Sequence, residues 1–298
     1  MSTGSEAVVE NFETRRRRAL RRHWLQSGVG LLIFSMVLAA SFQESQFFSS
    51  DIGGDPLGRI GEFLVRMTPS LQGPVLFEGR STPGSLASWF YDLPGWLAAI
   101  WQTIEMAIVA TVFGSLGAVG ASLLCASNLM PWRPVRFLVR RSLEVTRTIP
   151  DLVLALILVA AFGVGPLPGV ITLSISTMGG LGKLFAEINE EVDPRQLEAL
   201  DAAGAGLLNK IRFGVFPQVF PAYASYGLLR LEGNLAGAAA LGIVGAGGIG
   251  LELQRAITYT EYNTYLAILI LMVAMIFLID LMSEAIRHRL IRLDEGGQ

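Results

Sequence analysis

The side chains best suited to covalent chemistry are scarce and scattered. A single cysteine, Cys125, permits neither an intramolecular disulfide nor a thiolate metal cluster. The two histidines, His23 and His288, stand near opposite ends beside arginines, so zinc ligation and Ser-His catalysis lack their usual parts. Gly245-Ala246-Gly247-Gly248-Ile249-Gly250 satisfies G-x-G-x-x-G, but a dinucleotide site needs a strand before it and a helix after it in a soluble βαβ unit. Here the string follows an apolar run, Leu235 to Val244. No G-x-x-x-x-G-K-[ST] occurs and the only lysines are Lys183 and Lys210, so the chain does not hydrolyse ATP through a P-loop. Any nucleotide that drives it binds another subunit, and no cofactor or metal is expected in this chain. A net charge of −2 gives no basic footprint for nucleic acid.

The unusual polarity lies inside apolar segments. Of 298 residues, 16% are charged and 52% are apolar, with a mean hydropathy of +0.50, against about 25% charged in an average soluble chain. The expected fold class is an all-α integral membrane protein. A window of about 20 apolar residues finds six transmembrane helices: Trp24 to Phe42, Leu97 to Cys125, Ile149 to Phe162, Val170 to Phe185, Val215 to Val244 and Tyr262 to Ile286. The third and fourth are joined by Gly163-Val164-Gly165-Pro166-Leu167-Pro168-Gly169, read as a tight hairpin. The first has the basic run and small residues of a secretory signal, but its apolar stretch is about 19 residues against 7 to 15 in a cleaved one, so it reads as a retained anchor.

Arginine and lysine set the orientation. Six precede the first span (Arg15 to Arg18, Arg21, Arg22). Five lie between the second and third (Arg133, Arg136, Arg140, Arg141, Arg147), four between the fourth and fifth (Lys183, Arg195, Lys210, Arg212), and three after the last (Arg287, Arg289, Arg292). The alternate connections hold four: Arg59, Arg66, Arg80 and Arg255. Both termini are therefore expected in the cytoplasm of a cell whose plasma membrane the chain crosses. The segments are a basic tail (1–23), a first span (24–42), an outer loop (43–96), a main transmembrane unit (97–290) and a tail (291–298). In the loop, Ile60, Phe63, Leu64 and Met67 mark a short amphipathic helix, expected at the outer membrane surface.

Arg230 lies about 15 residues, roughly 22 Å, into the fifth span. Tyr223, Tyr226, Arg230 and Asn234 share one helical stripe, which either lines a polar path or is neutralised by an acid on a neighbouring helix. Glu232 points about 160° away and is expected to pair with another helix, while Glu105 in span two reads as helix pairing or as an interfacial position. Ala110, Gly114 and Ala118, and Gly233 with Gly237, have the spacing of close helix contacts. Thr172, Ser174 and Ser176 either back-bond to their own helix or face a cavity. Gly245, Gly247 and Gly248 read as a helix break or as a flexible outer gate. Residues 193–217, DPRQLEALDAAGAGLLNKIRFGVFP, are too polar to span and too apolar for a free linker. Asp193 and Pro194 can start a helix, and Gly204 with Gly206 can turn the chain into a second one, giving a firm handle on the inner surface.

That segment resembles the cytoplasmic loop of the permease subunit of bacterial ABC importers, which reads E-A-A, three residues, G, nine residues, I, one residue, L-P. Glu198, Ala199, Gly204 and Pro217 match, while Leu200, Gly214 and Phe216 depart. Within that family the chain looks most like phosphonate importer permeases, through Arg147-Thr148-Ile149-Pro150-Asp151-Leu152, Phe162-Gly163-Val164-Gly165-Pro166 with Gly169, Gly182-Lys183-Leu184-Phe185-Ala186-Glu187, and Leu241 to Gly250. Such permeases commonly read E-x-N-x-R in span five, where this chain has Glu232, Asn234 and Ala236.

The resemblance implies a type I ABC importer permease fold with a coupling-helix loop, in the bacterial inner membrane. It also implies a second permease subunit, identical or homologous, two copies of an ABC ATPase that bind ATP and Mg, and an external substrate-binding protein. Glu198, Ala199, Gly204 and Pro217 would dock the ATPase, and Tyr223, Tyr226, Arg230 and Asn234 would face the path of a phosphonate or related oxyanion. Phosphate, phosphite or another small solute is the alternative cargo. A secondary transporter or channel without an ATPase, and a membrane enzyme, are the other classes.

Overall fold

The computed structural model describes residues 3–44 and 56–295, and every regular element among them is a helix. The chain divides into two compact units, Met1–Phe63 and Leu64–Gln298. The first holds α1 (Thr3–Glu44), in which Trp24–Glu44 is long and apolar enough to cross a membrane and buries none of its side chains. The basic segment before it continues the same helix. The amphipathic stretch read from Ile60 to Met67 is helical, within α2 (Pro56–Met67).

The second unit begins with a loop closed by the short α3 (Leu86–Trp89), where Ser85 Oγ accepts from the Ser88 N–H as N-cap. Then follow α4 (Leu93–Cys125), α5 (Arg133–Thr148), α6 (Asp151–Phe162), α7 (Pro166–Glu190), α8 (Pro194–Ala202) and α9 (Leu207–Asn209). A π-helical turn, Lys210–Val215, leads into α10 (Phe216–Gly242), and α11 (Ile249–Thr258) and α12 (Tyr262–Glu295) complete the chain. Proline in the first turn marks the start of α4, α5, α7, α8 and α10, where its missing N–H costs no helical hydrogen bond.

The six expected spans correspond to α1, α4, α6, α7, α10 and α12, with one correction. At 12 residues, α6 rises only about 18 Å and is too short to cross alone. It joins α5 through Ile149-Pro150 with an 88° bend, because proline excludes the helical conformation from the residue before it. Among the described residues four helices have the length and apolarity of a span, or five when the bent α5–α6 pair is counted as one. The 27-residue α10 is long enough but carries Arg230 and Glu232. The expected hairpin between α6 and α7 is present, with Gly163 at φ +88° and Gly165 at φ +155°.

Small residues bring α4, α7 and α10 together. Ala107, Ala110 and Ala118 are fully buried, and a Cβ on Gly114 would lie 2.5 Å from Thr177 Cβ and 2.8 Å from the Ser174 carbonyl oxygen. Gly237 approaches Leu173 on α7 in the same way. Gly233 departs from the expectation, since nothing lies within 4 Å of the position its Cβ would take. Leu143 of α5 packs over Gly182, and Thr146 over Gly179.

Candidate functional site

Two regions carry the polarity read from the sequence. In the first, α8 starts where Asp193 Oδ1 accepts from the Arg195 N–H at 2.9 Å and ends in a Schellman turn. The Gly204 N–H donates to the Asp201 carbonyl, the Ala205 N–H donates to the Leu200 carbonyl at 2.9 Å, and Gly204 takes φ +74°. Lys210 pairs with Asp201 across the turn. Gln218 Nε2 donates to Gln196 Oε1 at 2.8 Å and to the Gly214 carbonyl at 2.6 Å, tying α8 to the start of α10. Two of the three departures from the family loop, Leu200 and Gly214, fit each other: a Cβ on Gly214 would lie 2.8 Å from Leu200 Cδ1 and 3.0 Å from Leu197 Cδ2. The bulk absent at 214 is supplied by Leu200. Glu198, Ala199, Gly204 and Pro217 are exposed, and Leu208 is 81% exposed at the turn's tip.

The second region lies between α4, α7 and α10. The stripe on α10 divides. Tyr223 and Asn234, at 7% and 1% exposure, are buried in helix contacts, whereas Tyr226 is exposed and Arg230 is half-buried. Tyr223 stacks on Phe185 with ring centroids 4.0 Å apart. Its hydroxyl donates to Asn189 Oδ1 at 2.7 Å, and Asn189 Nδ2 donates to Ser122 Oγ at 3.1 Å. Asn234 Nδ2 donates to Thr111 Oγ1 at 2.9 Å and to Thr177 Oγ1 at 2.8 Å. Arg230 donates from Nε to Thr177 Oγ1 at 3.2 Å and from Nη2 to Ser176 Oγ at 2.7 Å. Arg230 forms no ion pair among the described residues, and Asp151 at the start of α6 acts on it only through space.

Thr172 and Ser174 back-bond to the Pro168 and Val170 carbonyls, at 2.8 and 2.7 Å, while Ser176 turns to Arg230. Among the described residues of this chain neither Glu232 nor Glu105 forms an ion pair: Glu232 Oε1 is buried without a hydrogen bond, and Glu105 is exposed. The residues that the sequence did not single out are Thr111, Thr177, Ser122 and Asn189. Hydroxyls and amides are common in spans, and their partners on other helices stand 34 to 123 residues away in the chain.

The glycine string forms a buried turn from α10 to α11. Gly245, Gly247 and Gly248 take φ of +92°, +85° and +69°. The Gly248 N–H donates to Gln102 Oε1 at 2.9 Å, the Ile249 N–H to Thr103 Oγ1 at 2.8 Å, and the Gly165 N–H to the Gly245 carbonyl at 3.0 Å. These bonds join the turn to α4 and to the α6–α7 hairpin. Near the α4 N-terminus, a cavity of about 350 Å³ opens between residues 69–91 and the start of α12, lined by Arg80, Ser88, Trp89 and Asn263 among others. Burial raises the Tyr91 phenol there above its usual range.

Residues 118–292 match the family described as binding-protein-dependent transport system inner membrane component. The chain belongs to this family. It is therefore the permease subunit of an ABC importer, a multi-pass membrane protein whose family role is not enzymatic. The phosphite transport system permease protein PtxC of Stutzerimonas stutzeri is 36% identical over 264 residues, 89% of each chain. The phosphate-import permease protein PhnE of Mycolicibacterium smegmatis is 35% identical over 64% of this chain and 36% of its own. A putative cryptic phosphonate transport system permease of Escherichia coli is 39% identical over 41% of this chain and 99% of its own. Among solved structures, the MetNI methionine ABC transporter aligns with TM-score 0.54 at 20% identity, covering 65% of this chain and 95% of that one. A bacterial alginate ABC importer aligns with TM-score 0.58 at 14% identity, covering 90% and 99%. At these identities they establish the fold, that of a type I ABC importer permease.

Proposed function

We propose that this chain, with a second permease subunit, encloses the inner-membrane path of a phosphorus oxyanion, namely phosphonate or its close relatives phosphite and phosphate. The observation that carries the reading is Arg230, a cation within a span that forms no ion pair with a carboxylate among the described residues. Burying such a charge is costly unless an anion compensates it, and an oxyanion needs a polar route because hydrocarbon strips its hydration. The names of relatives sharing 35–39% identity support it, being a phosphite, a phosphate and a putative phosphonate transport permease. Arg230 and Tyr226 face the path, and Tyr223 and Asn234 act from behind it.

The exposed α8 turn, with Glu198, Ala199, Gly204 and Pro217, docks one of two ATPase copies, which bind ATP and Mg. Closure of the ATPases moves this handle, and the Gln218 staple passes the movement to α10. A binding protein delivers the anion at the opposite end of the bundle, where the Arg80 cavity opens. Both termini are cytoplasmic, which puts the arginine-rich connections on the inner side. A Cys125→Ser, Ala199→Cys permease tests the docking: it should form a disulfide with single cysteines placed on the partner ATPase, at a rate that changes with ATP. Absence of cross-links along the whole ATPase surface would refute it.

A further inference from the structure

We infer that Ser176 and Arg230 together form an oxyanion clamp, held in shape by Thr177, Asn234 and Thr111. The inference rests on the reading above and names the residues that contact the cargo. It follows from counting donors and acceptors around the guanidinium. Thr111 Oγ1 donates to the Ala107 carbonyl at 2.7 Å and accepts from Asn234 Nδ2. The other Asn234 N–H goes to Thr177 Oγ1, and the Thr177 hydroxyl proton returns to Asn234 Oδ1 at 3.2 Å. The lone-pair side of Thr177 also receives Arg230 Nε. Every proton in this chain of groups is used, so the hydroxyls and the amide have one mutually satisfied arrangement. That arrangement sets the plane of the guanidinium.

The accounting fails to close only at the far end. A guanidinium has five N–H donors, and the described residues accept two, one at Thr177 and one at Ser176. Ser176 Oγ accepts from Arg230 Nη2 at 2.7 Å, and its own O–H has no acceptor among the described residues. Three N–H groups and one O–H therefore remain side by side, with a positive charge and no acceptor. Ser176 and Arg230 are both partly open, unlike Thr177 and Asn234 behind them. Adjacent donors on one cation match two oxygens of a tetrahedral oxyanion, where charge-assisted hydrogen bonds are strong. Water could accept these protons but would leave the charge to Asp151, which makes no ion pair with it. Ser176 is thus a ligand to the cargo rather than helix glue, and Thr177 is a positioning residue.

The test uses the complete transporter in proteoliposomes, with its binding protein and with phosphite, methylphosphonate and inorganic phosphate as separate probes. Cys125 is the only cysteine, so Cys125→Ala with Ser176→Cys places one reactive thiol at the site. A small anionic methanethiosulfonate should label that thiol. A probe that is transported should slow labelling about fivefold when present at four times its Kd, and Arg230→Gln should abolish this protection. A transported probe that gives no protection, or protection that survives Arg230→Gln, overturns the clamp while leaving the transport function intact. Transport of none of the three probes overturns both. Should Ser176→Cys not assemble, Ser176→Ala serves instead: its KM should rise about tenfold, the loss of one hydrogen bond to a charged group, and an unchanged KM overturns the clamp. For the positioning role, Thr177→Val should raise KM with kcat held within about twofold, and Thr177→Ser should restore KM. Equal falls in kcat for both variants would reduce Thr177 to a structural residue.

Discussion

Replacing Gly214 by isoleucine would restore the family's usual residue and should nevertheless damage this protein. The site is already filled: a Cβ at 214 would stand 2.8 Å from Leu200 Cδ1 and 3.0 Å from Leu197 Cδ2, where carbon atoms normally rest about 3.5 to 4.0 Å apart. Alanine would require those methyls to yield by at least about half an ångström, which flexible side-chain ends can do. Isoleucine adds three more carbons beneath a helix pinned by the Gln218 and Lys210 contacts. Overpacking of this kind costs about 1 to 3 kcal/mol, enough to reduce the docked population of α8 by about 5- to 150-fold. Leu200→Ala alone should lose about 1 to 2 kcal/mol, since Leu200 is only half-buried. The double variant, Gly214→Ile with Leu200→Ala, exchanges the bulk and should recover most of the loss. Affinity of the detergent-purified permease for its ATPase, measured for all four proteins, gives the coupling between the two sites. Additive effects, or a neutral Gly214→Ile, would refute the reciprocal packing.

Gly204→Val should weaken ATPase stimulation several-fold, because a β-branched residue at φ +74° costs about 1 to 2 kcal/mol and opens the Schellman turn. Unchanged stimulation would argue against that turn. Tyr223→Phe leaves Asn189 Oδ1 buried without its 2.7 Å donor and should cost about 1 to 3 kcal/mol, visible as a lower melting temperature in a thiol-reactive or scattering assay. Gly250→Ala should not accumulate in the membrane, since its Cβ would fall 1.8 Å from the Ala239 carbonyl oxygen and backbone cannot retreat. Gly233→Ala, with open space at its Cβ, should be neutral or gain up to about 1 kcal/mol in helix propensity.

Much of the architecture could be read from residue types because a bilayer imposes length and polarity rules that a soluble core does not. The last span begins at Tyr262 in both the sequence reading and the structure, and Cys125 ends α4 in both. Asp193 and Pro194 carry a local start signal and Gly204 a turn signal, so the start of α8 and the turn after it were legible. The third span was not, because Ile149-Pro150 was taken as its start, whereas it joins two helices at 88°. Helix α11 was missed since Ile249 to Thr258 carries one apolar face and is too short for a span window. For the site, the stripe of Tyr223, Tyr226, Arg230 and Asn234 was geometrically right, but a stripe does not say which of its members a neighbouring helix covers. Asn234 is covered because Gly114 lets α4 and α7 meet closely at Thr177. No spacing within α10 encodes that contact.

The central claim is that this scaffold moves an oxyanion only when ATP is spent on the other side of its α8 handle. Uptake of radiolabelled phosphite and methylphosphonate into proteoliposomes tests it most directly, with the permease and ATPase in the membrane, ATP and Mg inside and binding protein outside. The account predicts accumulation against a gradient that requires internal ATP, requires the binding protein, and is lost in Arg230→Gln. Equilibrative flux without ATP, or uptake that does not depend on Arg230, would contradict it.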